Sequence, residues 1–412
     1  MIRNGWEDTV RIHEYQAKRL LKSYGIPVPR GAVAFSAAEA EAAARFLGGE
    51  RWVIKAQIHA GGRGEAGGIA FANDLDEVKI AAERLLAKPL VTAETGPTGL
   101  RVKRLYVEEA VQPARELYLA LYVDRSTGQV TFLGSRRGGV SITSGAVPRP
   151  EEIVKIGSDP DEPASGRAAD ELAARMTDDE AAVPQVGDVA KRLYRAFWEL
   201  DASLIELNPL ALLTNGRAVA LDTRVILDDN ALFRHPALEA LRDDEDTPPE
   251  ELEAARHEIN YVAMAGTVGC VANGAGLGMA TVDLLKLRGV EPANFMDIRP
   301  VATREQIATG FRMMLRNSSL TCILVNIFGG GIIRCDLVAE AMVLATREIP
   351  IRIPVVVRFA GTNAELGQKL LANSALPAEF ARDLPDAVDR IERHYGKHPG
   401  GSTASRAVAA WV

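Results

Sequence analysis

The chain has few cysteines, no excess of positive charge and no long apolar run, and each deficit removes a class of protein. Its three cysteines in 412 residues, Cys270, Cys322 and Cys335, are odd in number and show no Cys-x-x-Cys spacing. Neither a disulfide framework nor a zinc site is therefore expected, and a reducing cytoplasm fits best. A net charge of −7 argues against a general nucleic-acid binder. No stretch reaches the ~18 apolar residues of a membrane span. The first 25 residues carry charges throughout, without the apolar core and small-residue cleavage site of a secretory signal. No internal repeat is visible. What is there, 47% hydrophobic and 25% charged residues, is an ordinary soluble composition, and ~100–200 residues per domain predicts two or three domains.

The first local signal is Val53-Ile-Lys-Ala-Gln-Ile-His-Ala-Gly-Gly-Arg-Gly-Glu-Ala-Gly-Gly68. A β-branched strand ends in Lys55, and Gly61, Gly62, Gly64, Gly67 and Gly68 follow. Glycines let backbone N–H groups approach an anion without obstruction by Cβ, and a lysine at a strand end supplies a charge over a phosphate. The order is wrong for a Walker A loop, in which the lysine follows the glycines and opens a helix. Taken alone, the segment reads equally well as a Gly-rich hairpin connection.

Helical spacing over Ile12–Ser23, Ala37–Leu47, Leu75–Leu86 and Val189–Leu200 alternates with strand-like runs at Ala32–Phe35, Trp52–Gln57, Ile69–Phe71, Arg104–Glu108, Glu116–Asp124, Val130–Leu133, Leu204–Leu207 and Val219–Asp222. This order predicts an α+β region with a mixed sheet. Residues 146–187, rich in Pro, Asp, Glu, Gly and Ala, read as a loosely packed helical excursion. The acidic, proline-broken run Arg242-Asp-Asp-Glu-Asp-Thr-Pro-Pro-Glu-Glu marks a boundary. Beyond it, strands at Val268–Ala272, Asn294–Asp297, Cys322–Ile327 and Val355–Arg358, each followed by a helical pattern, predict a doubly wound parallel sheet. The expected organisation is 1–246, 247–395 and a tail over 396–412. Glycine turns at Asn273-Gly-Ala-Gly, Phe328-Gly-Gly-Gly and Gly361-Thr-Asn end three of those strands, where open sheets of this type bind ligands.

An Asn215-Gly216 turn between two alternating strands reads as a hairpin. It brings Glu206, Asn208 and Asp222 to neighbouring positions. Hard oxygens of this kind, with nucleotide phosphates and water, are how Mg²⁺ is commonly held. Asn208 before Pro209 is equally readable as a turn former, and Asp222 as a strand-end cap.

From Ile12 to Leu371 the chain resembles the β subunits of succinyl-CoA synthetase, the ADP-forming succinate–CoA ligases of the ATP-grasp superfamily. The resemblance is carried by His13-Glu-Tyr-Gln-Ala-Lys, Lys55-Ala-Gln-Ile-His-Ala-Gly-Gly-Arg-Gly, Glu116-Leu-Tyr-Leu, Ile205-Glu-Leu-Asn-Pro-Leu, Asp229-Asn-Ala-Leu-Phe-Arg, Asn273-Gly-Ala-Gly-Leu, Glu291-Pro-Ala-Asn-Phe, Val325-Asn-Ile-Phe-Gly-Gly, Arg334-Cys-Asp-Leu and Gly361-Thr-Asn-Ala-Glu-Leu-Gly. It implies an N-terminal ATP-grasp domain and a C-terminal flavodoxin-like CoA-ligase domain. By the same resemblance Lys55, Gly62, Arg63 and Gly64 meet the phosphates. Glu108 lies at the hinge that reads adenine and ribose, and Val111 and Glu116 line the nucleotide. Asn208 and Asp222 match Mg²⁺ ligands, and Glu206 orients a visiting phosphohistidine. Asn273, Gly331, Ile332 and Ile333 receive the organic acid and phosphate.

The implied chemistry uses ATP or GTP to make an acyl phosphate, because a carboxylate must otherwise expel oxide, and the thiol of CoA then displaces phosphate. The relay histidine belongs to a separate α subunit. None of the six histidines here, His13, His59, His235, His257, His394 and His398, matches it, and His59 reads as a site-lining or structural residue. An αβ heterodimer or its dimer, (αβ)₂, is therefore expected, with most of the CoA site on the partner.

Some residues depart from the family pattern. Arg299-Pro300-Val301 replaces a triple-glycine turn, the Phe328 turn is one glycine longer, Glu65 stands where a basic residue is common, and Val111 where a hydroxyl residue often lies. Arg299 suggests an added carboxylate contact and a substituted or longer diacid such as malate; pairing with Asp297 or with the partner subunit is the alternative. Two other functional classes compete with the ligase. One is an ATP-grasp enzyme joining carboxylate to amine, which has no use for the second domain. The other is a non-catalytic assembly chain, against which the retained phosphate and metal residues speak.

Overall fold

The computed structural model describes residues 12–139, 152–158, 166–244, 247–330 and 333–395. Two compact units divide between Asp243 and Asp244.

The first unit begins with helix α1 (Glu14–Ser23). Strands β1 (Gly31–Ala34), β2 (Trp52–Ala56) and β3 (Ile69–Ala72) follow, with helices α2 (Ala37–Leu47) and α3 (Leu75–Ala87), a short ribbon of β4 (Pro89–Leu90) and β5 (Leu100–Arg101), and strand β6 (Leu105–Glu109). These build a small antiparallel sheet in the order β1-β6-β2-β3. The side chain of Ser36 accepts from Glu39 N–H and that of Asp74 from Glu77 N–H, so each helix starts where a short polar residue satisfies an orphan donor. Next come β7 (Arg115–Asp124), β8 (Gln129–Ser135), β9 (Ile153–Ser158), helices α4 (Gly166–Met176) and α5 (Val183–Glu199), β10 (Ala202–Leu212), β11 (Ala218–Ala220) and β12 (Thr223–Leu227). They form a second antiparallel sheet, β11-β10-β7-β8-β9, with β12 also on β10.

Strand alternation decides what meets the space between these sheets. Successive side chains on a strand point to opposite faces. Ile54 and Ala56 of β2, Ala70 and Ala72 of β3, and Leu105 and Val107 of β6 pack with α2 and α3 in one core. Leu117, Leu119 and Leu121 of β7 and Ile205 and Leu207 of β10 pack under α4 and α5 in another. The intervening residues, Lys55, Phe71, Glu108, Glu116 and Glu206 among them, line a shared cleft.

The reading of residues 146–187 as a loosely packed excursion is corrected where that segment is described. Strand β9 pairs with β8, and Ala169, Leu172, Ala173 and Met176 of α4 are fully buried in the main core. The stripe at i, i+3, i+4 and i+7 is a core-facing helix signal that the polar composition obscured. Gly134 permits the close approach, since a Cβ there would lie 2.6 Å from Met176 Sδ.

Helix α6 (Pro236–Glu239) is the last element of the first unit, and the second unit opens with α7 (Pro249–Arg256). Strands β13 (Asn260–Ala263), β14 (Val268–Asn273), β15 (Asn294–Ile298), β16 (Cys322–Gly329), β17 (Val355–Gly361) and β18 (Ala378–Phe380) form one sheet in the order β13-β15-β14-β16-β17-β18. The expected parallel core is present, but β13 runs antiparallel to β15 and adds an edge that the short run Asn260–Ala263 did not announce. Helices α8 (Ala275–Leu287), α9 (Arg304–Leu315), α10 (Cys335–Glu348), α11 (Ala364–Ala372) and α12 (Leu384–Tyr395) complete it. Ile307, Phe311, Val338 and Met342 cover one face, and Leu285, Val388 and Ile391 the other. Among the described residues, no helix is long and apolar enough to cross a membrane.

Candidate active site

The cleft of the first unit measures about 590 Å³ and is lined by Lys55, Gly62, Arg63, Gly64, Glu108, Val111, Glu116, Glu206, Asn208 and Asp222. All ten nucleotide, metal and catalytic candidates of this half therefore share one wall system, although they span more than 160 positions in sequence.

Lys55 is 5% exposed. Its Nζ lies 2.8 Å from Glu14 Oε1 and 2.6 Å from Glu108 Oε2, and donates to Leu221 O at 2.5 Å. Burial pulls the lysine pKa down, but Glu108, Glu14 and Asp222 outweigh it and hold the ammonium firmly protonated. Lys18 of α1 reaches the same acids, 2.9 Å from Glu14 Oε1 and 2.5 Å from Glu108 Oε1.

Arg63 Nη2 lies 2.8 Å from Glu14 Oε2 and donates to Asp222 Oδ1 and Oδ2 at 2.7 and 2.8 Å, while Nη1 donates to Ala56 O at 2.9 Å. Glu14 is thus embraced by three cations. Burial would raise its pKa, yet Lys18, Lys55 and Arg63 prevail and hold it well below its ordinary value. The six groups are three anions and three cations, so this buried network is neutral.

The expected hairpin is present. Leu210 pairs with Ala220 and Glu206 with Arg224, and Asn208 N–H donates to Asp222 O at 3.1 Å. The ladder from β10 to β7 shifts register between Leu207 and Leu210, which lifts Asn208 and the donor-less Pro209 out of regular pairing. Asn208 Oδ1 accepts from Gly139 N–H at 2.6 Å. Glu206 is raised in pKa, chiefly by burial; Arg224 and a hydrogen bond from Tyr118 oppose this, and Asp222 and Glu94 add to it. Burial likewise raises Glu116.

In the glycine loop, Gly62 has φ +73°, a conformation that favours glycine. Ala66 N–H to Gly62 O and Gly68 N–H to Arg63 O fold the loop on itself. His59 stacks on His13 at 4.1 Å, and its Nε2 is 3.3 Å from Asp243 Oδ2, which also meets His13 Nε2 at 2.5 Å. The ligand atoms of His13, His59 and Asp243 lie within 4.8 Å of one another. Arg104 Nη1, 3.4 Å from the same Asp243 oxygen, opposes a metal ion there. His59 also lines the cleft.

In the second unit the three glycine turns meet at one sheet edge. Asn273 Oδ1 accepts from Phe328 N–H at 2.7 Å, its Nδ2 donates to Phe328 O at 2.9 Å, and Thr362 N–H donates to Gly329 O at 2.8 Å. Gly274, with φ +82°, donates to Asp297 Oδ1 at 2.5 Å. Ile333 is buried; Gly331 and Ile332 lie outside the described residues. Arg299 does not pair with Asp297. Its Nη2 is 3.6 Å from Glu258 Oε2, and the side chain is 38% exposed.

Glu14, Lys18 and Tyr118 received no role from the sequence. A signal existed for the first two: they share the i, i+3, i+4, i+7 stripe of α1 with buried Ala17 and Leu21, where charges have no solvent to face.

Comparison with known proteins accords with this geometry. An ATP-grasp domain model matches residues 11–212 and a CoA-ligase model residues 271–381. The chain is 46% identical over 382 residues to the β subunit of ADP-forming succinate–CoA ligase from Paraburkholderia phytofirmans and, equally, to that from Ralstonia nicotianae, covering 93% of this chain and 98% of each relative. Among solved structures, ATP citrate lyase from Methanothrix soehngenii in complex with citrate and coenzyme A aligns with a TM-score of 0.73 at 19% identity, over 92% of this chain and 100% of that one, a likeness of fold. Fold and site together define an ATP-grasp protein joined to a CoA-ligase domain. Within that class, the chain belongs to the family of ADP-forming succinate–CoA ligase β subunits.

Proposed function

We propose that this chain is the nucleotide-gripping subunit of an acid–CoA ligase that forms succinyl-CoA from succinate, CoA and ATP. The observation that carries the reading is the single cleft in which a protonated lysine, a glycine loop and the Asn208–Asp222 pair share one wall. In this reading Lys55 faces the nucleotide phosphates, its ammonium oriented by Glu14 and Glu108, while Gly62, Arg63 and Gly64 cover them. Glu108, Val111 and Glu116 line the nucleotide. Asn208 and Asp222 fit Mg²⁺, being two hard oxygen donors, one on β10 and one in the bend between β11 and β12, joined by the Asn208 N–H to Asp222 O hydrogen bond. The ion, when bound, supplies charge neutralisation across the transferring phosphate oxygens.

Glu206, raised by burial, orients the imidazole of a histidine on a partner α subunit by accepting its N–H when that loop visits the cleft. Asn273 with Gly331, Ile332 and Ile333 receives the acid and phosphate. The working assembly is αβ or (αβ)₂ in the cytoplasm. Co-expression with a candidate α chain tests this: [γ-³²P]ATP with Mg²⁺ labels a histidine of the partner, and the label is discharged by succinate with CoA. Full activity of this chain alone refutes it.

A second reading concerns the acid. Among the described residues Arg299 has only the 3.6 Å ion pair with Glu258, and neighbouring Val301 is 76% exposed. Both support a substituted diacid such as malate as the preferred substrate. Unchanged relative kcat/KM across a diacid panel in Arg299→Gly refutes it.

A further inference from the structure

Arg63 covers the phosphates in the reading above, which leaves its carboxylate contacts without a use. A guanidinium that only covers phosphates needs no carboxylate of its own, yet a single nitrogen, Nη2, sits 2.7–2.8 Å from three carboxylate oxygens, two on Asp222 and one on Glu14. The side chain is 9% exposed, so this pairing is not a surface ion pair exchanging freely with water. It is also not the usual fork-to-fork contact, in which two nitrogens meet two oxygens. One nitrogen collects the oxygens, as an ion would. The other metal candidate is engaged in the same manner: Asn208 Oδ1 accepts from Gly139 N–H at 2.6 Å.

We propose that Arg63 is a placeholder cation on Asp222, exchanging with the divalent ion when nucleotide arrives, and that Glu14 is the positioning residue that retains the guanidinium during the exchange. This rests on the assignment of Asp222 to the metal under Proposed function. Mg²⁺ takes carboxylate oxygens at about 2.0–2.1 Å, and the like charge of the ion and the guanidinium on one carboxylate weakens the hold of Nη2 on Asp222. When Asp222 is claimed by an ion, Nη2 loses two of its three partners. Glu14 Oε2 and Ala56 O keep the side chain in the cleft wall, and the freed N–H faces the cavity. A phosphate oxygen is the partner that satisfies it. An ion arriving alone leaves this donor unpaired, whereas an ion arriving with a nucleotide does not. Metal and nucleotide therefore bind with positive coupling, reciprocal by thermodynamic linkage.

The test is Mn²⁺ binding to the full chain, followed by electron paramagnetic resonance, with and without ADP. Wild type is expected to take Mn²⁺ weakly alone and at least tenfold more tightly with ADP, inside the 5–150-fold range of such couplings. Arg63→Met is expected to tighten Mn²⁺ binding in the absence of nucleotide about tenfold and to flatten the coupling with ADP. Lys55→Met removes the same charge from the same network without vacating Asp222. Equal tightening in Lys55→Met and Arg63→Met, or none in Arg63→Met, overturns the proposal. Asp222→Asn separates the two levels: if it leaves Mn²⁺ binding with ADP unchanged, the metal assignment itself fails and the placeholder with it. Should Arg63→Met not fold, wild type still decides. Saturating Mn²⁺ alone is expected to speed phenylglyoxal modification of Arg63, mapped by peptide mass, and ADP to reverse the effect; indifference of Arg63 to Mn²⁺ refutes the exchange.

Discussion

Replacing Glu14 by glutamine keeps the side-chain shape and removes one charge from the buried network. The cluster then holds three cations and two anions, a net +1, with Lys18 and Lys55 both nearly inaccessible to water. Removing one member of a buried pair costs about 3–5 kcal/mol, because the partner is left unbalanced. The amide oxygen can still accept from Lys18 or Lys55, which favours the lower end. Its NH₂ group, however, would face Arg63 Nη2 across the present 2.8 Å, donor against donor. About 3 kcal/mol corresponds to roughly 6–12 °C for a unit of this size.

Calorimetry of the full chain at pH 7 measures it. The pH dependence gives a second check. Glu14 is held below its ordinary value near 4.5, so its contribution is fully present above that value and is lost as pH falls toward the folded-state pKa. The gap between wild type and variant should be constant from pH 7 to about 5 and then narrow. A gap under ~1 kcal/mol at pH 7, or one that does not change down to pH 3, refutes the network as a stabilising unit.

Glu206→Gln is expected to lower partner phosphorylation roughly 100-fold yet raise thermal stability at pH 7. A carboxyl whose folded pKa is raised penalises the folded state as pH climbs through it, and the amide escapes that penalty; melting curves at pH 5 and 7 show whether the gain appears only at the higher pH. Lys55→Ala should weaken nucleotide binding by roughly 10–100-fold, from loss of charge-assisted contacts, with titration calorimetry as the readout. Phe311→Ala, which empties a site 1% exposed in the second unit, should cost about 3–5 kcal/mol without altering ADP affinity; a change in that affinity contradicts it.

The parts legible in the sequence were those that depend on near neighbours. The strand-like runs Trp52–Gln57 and Glu116–Asp124 fall on β2 and β7, and the Asn215-Gly216 turn announced the hairpin that brings Asn208 and Asp222 together. What was not legible arises through space. Nothing local to Arg63 tells that it meets Asp222, 159 positions away, or that Lys18 meets Glu108 across 90. The antiparallel strand β13 is four residues long, too short for its alternation to stand out, and α4 was hidden because alanine supplies half of its buried stripe.

The carbonyl of Leu221 has a consequence for biosynthesis. It accepts from Lys18 and from Lys55, bonds spanning 203 and 166 positions. Until the ribosome has released residue 221, Lys55 has Glu14 and Glu108 but lacks its third partner, and contacts of such span form late. Occupancy by nucleotide would thus report on maturation: a truncated or half-made polypeptide should not sequester ATP.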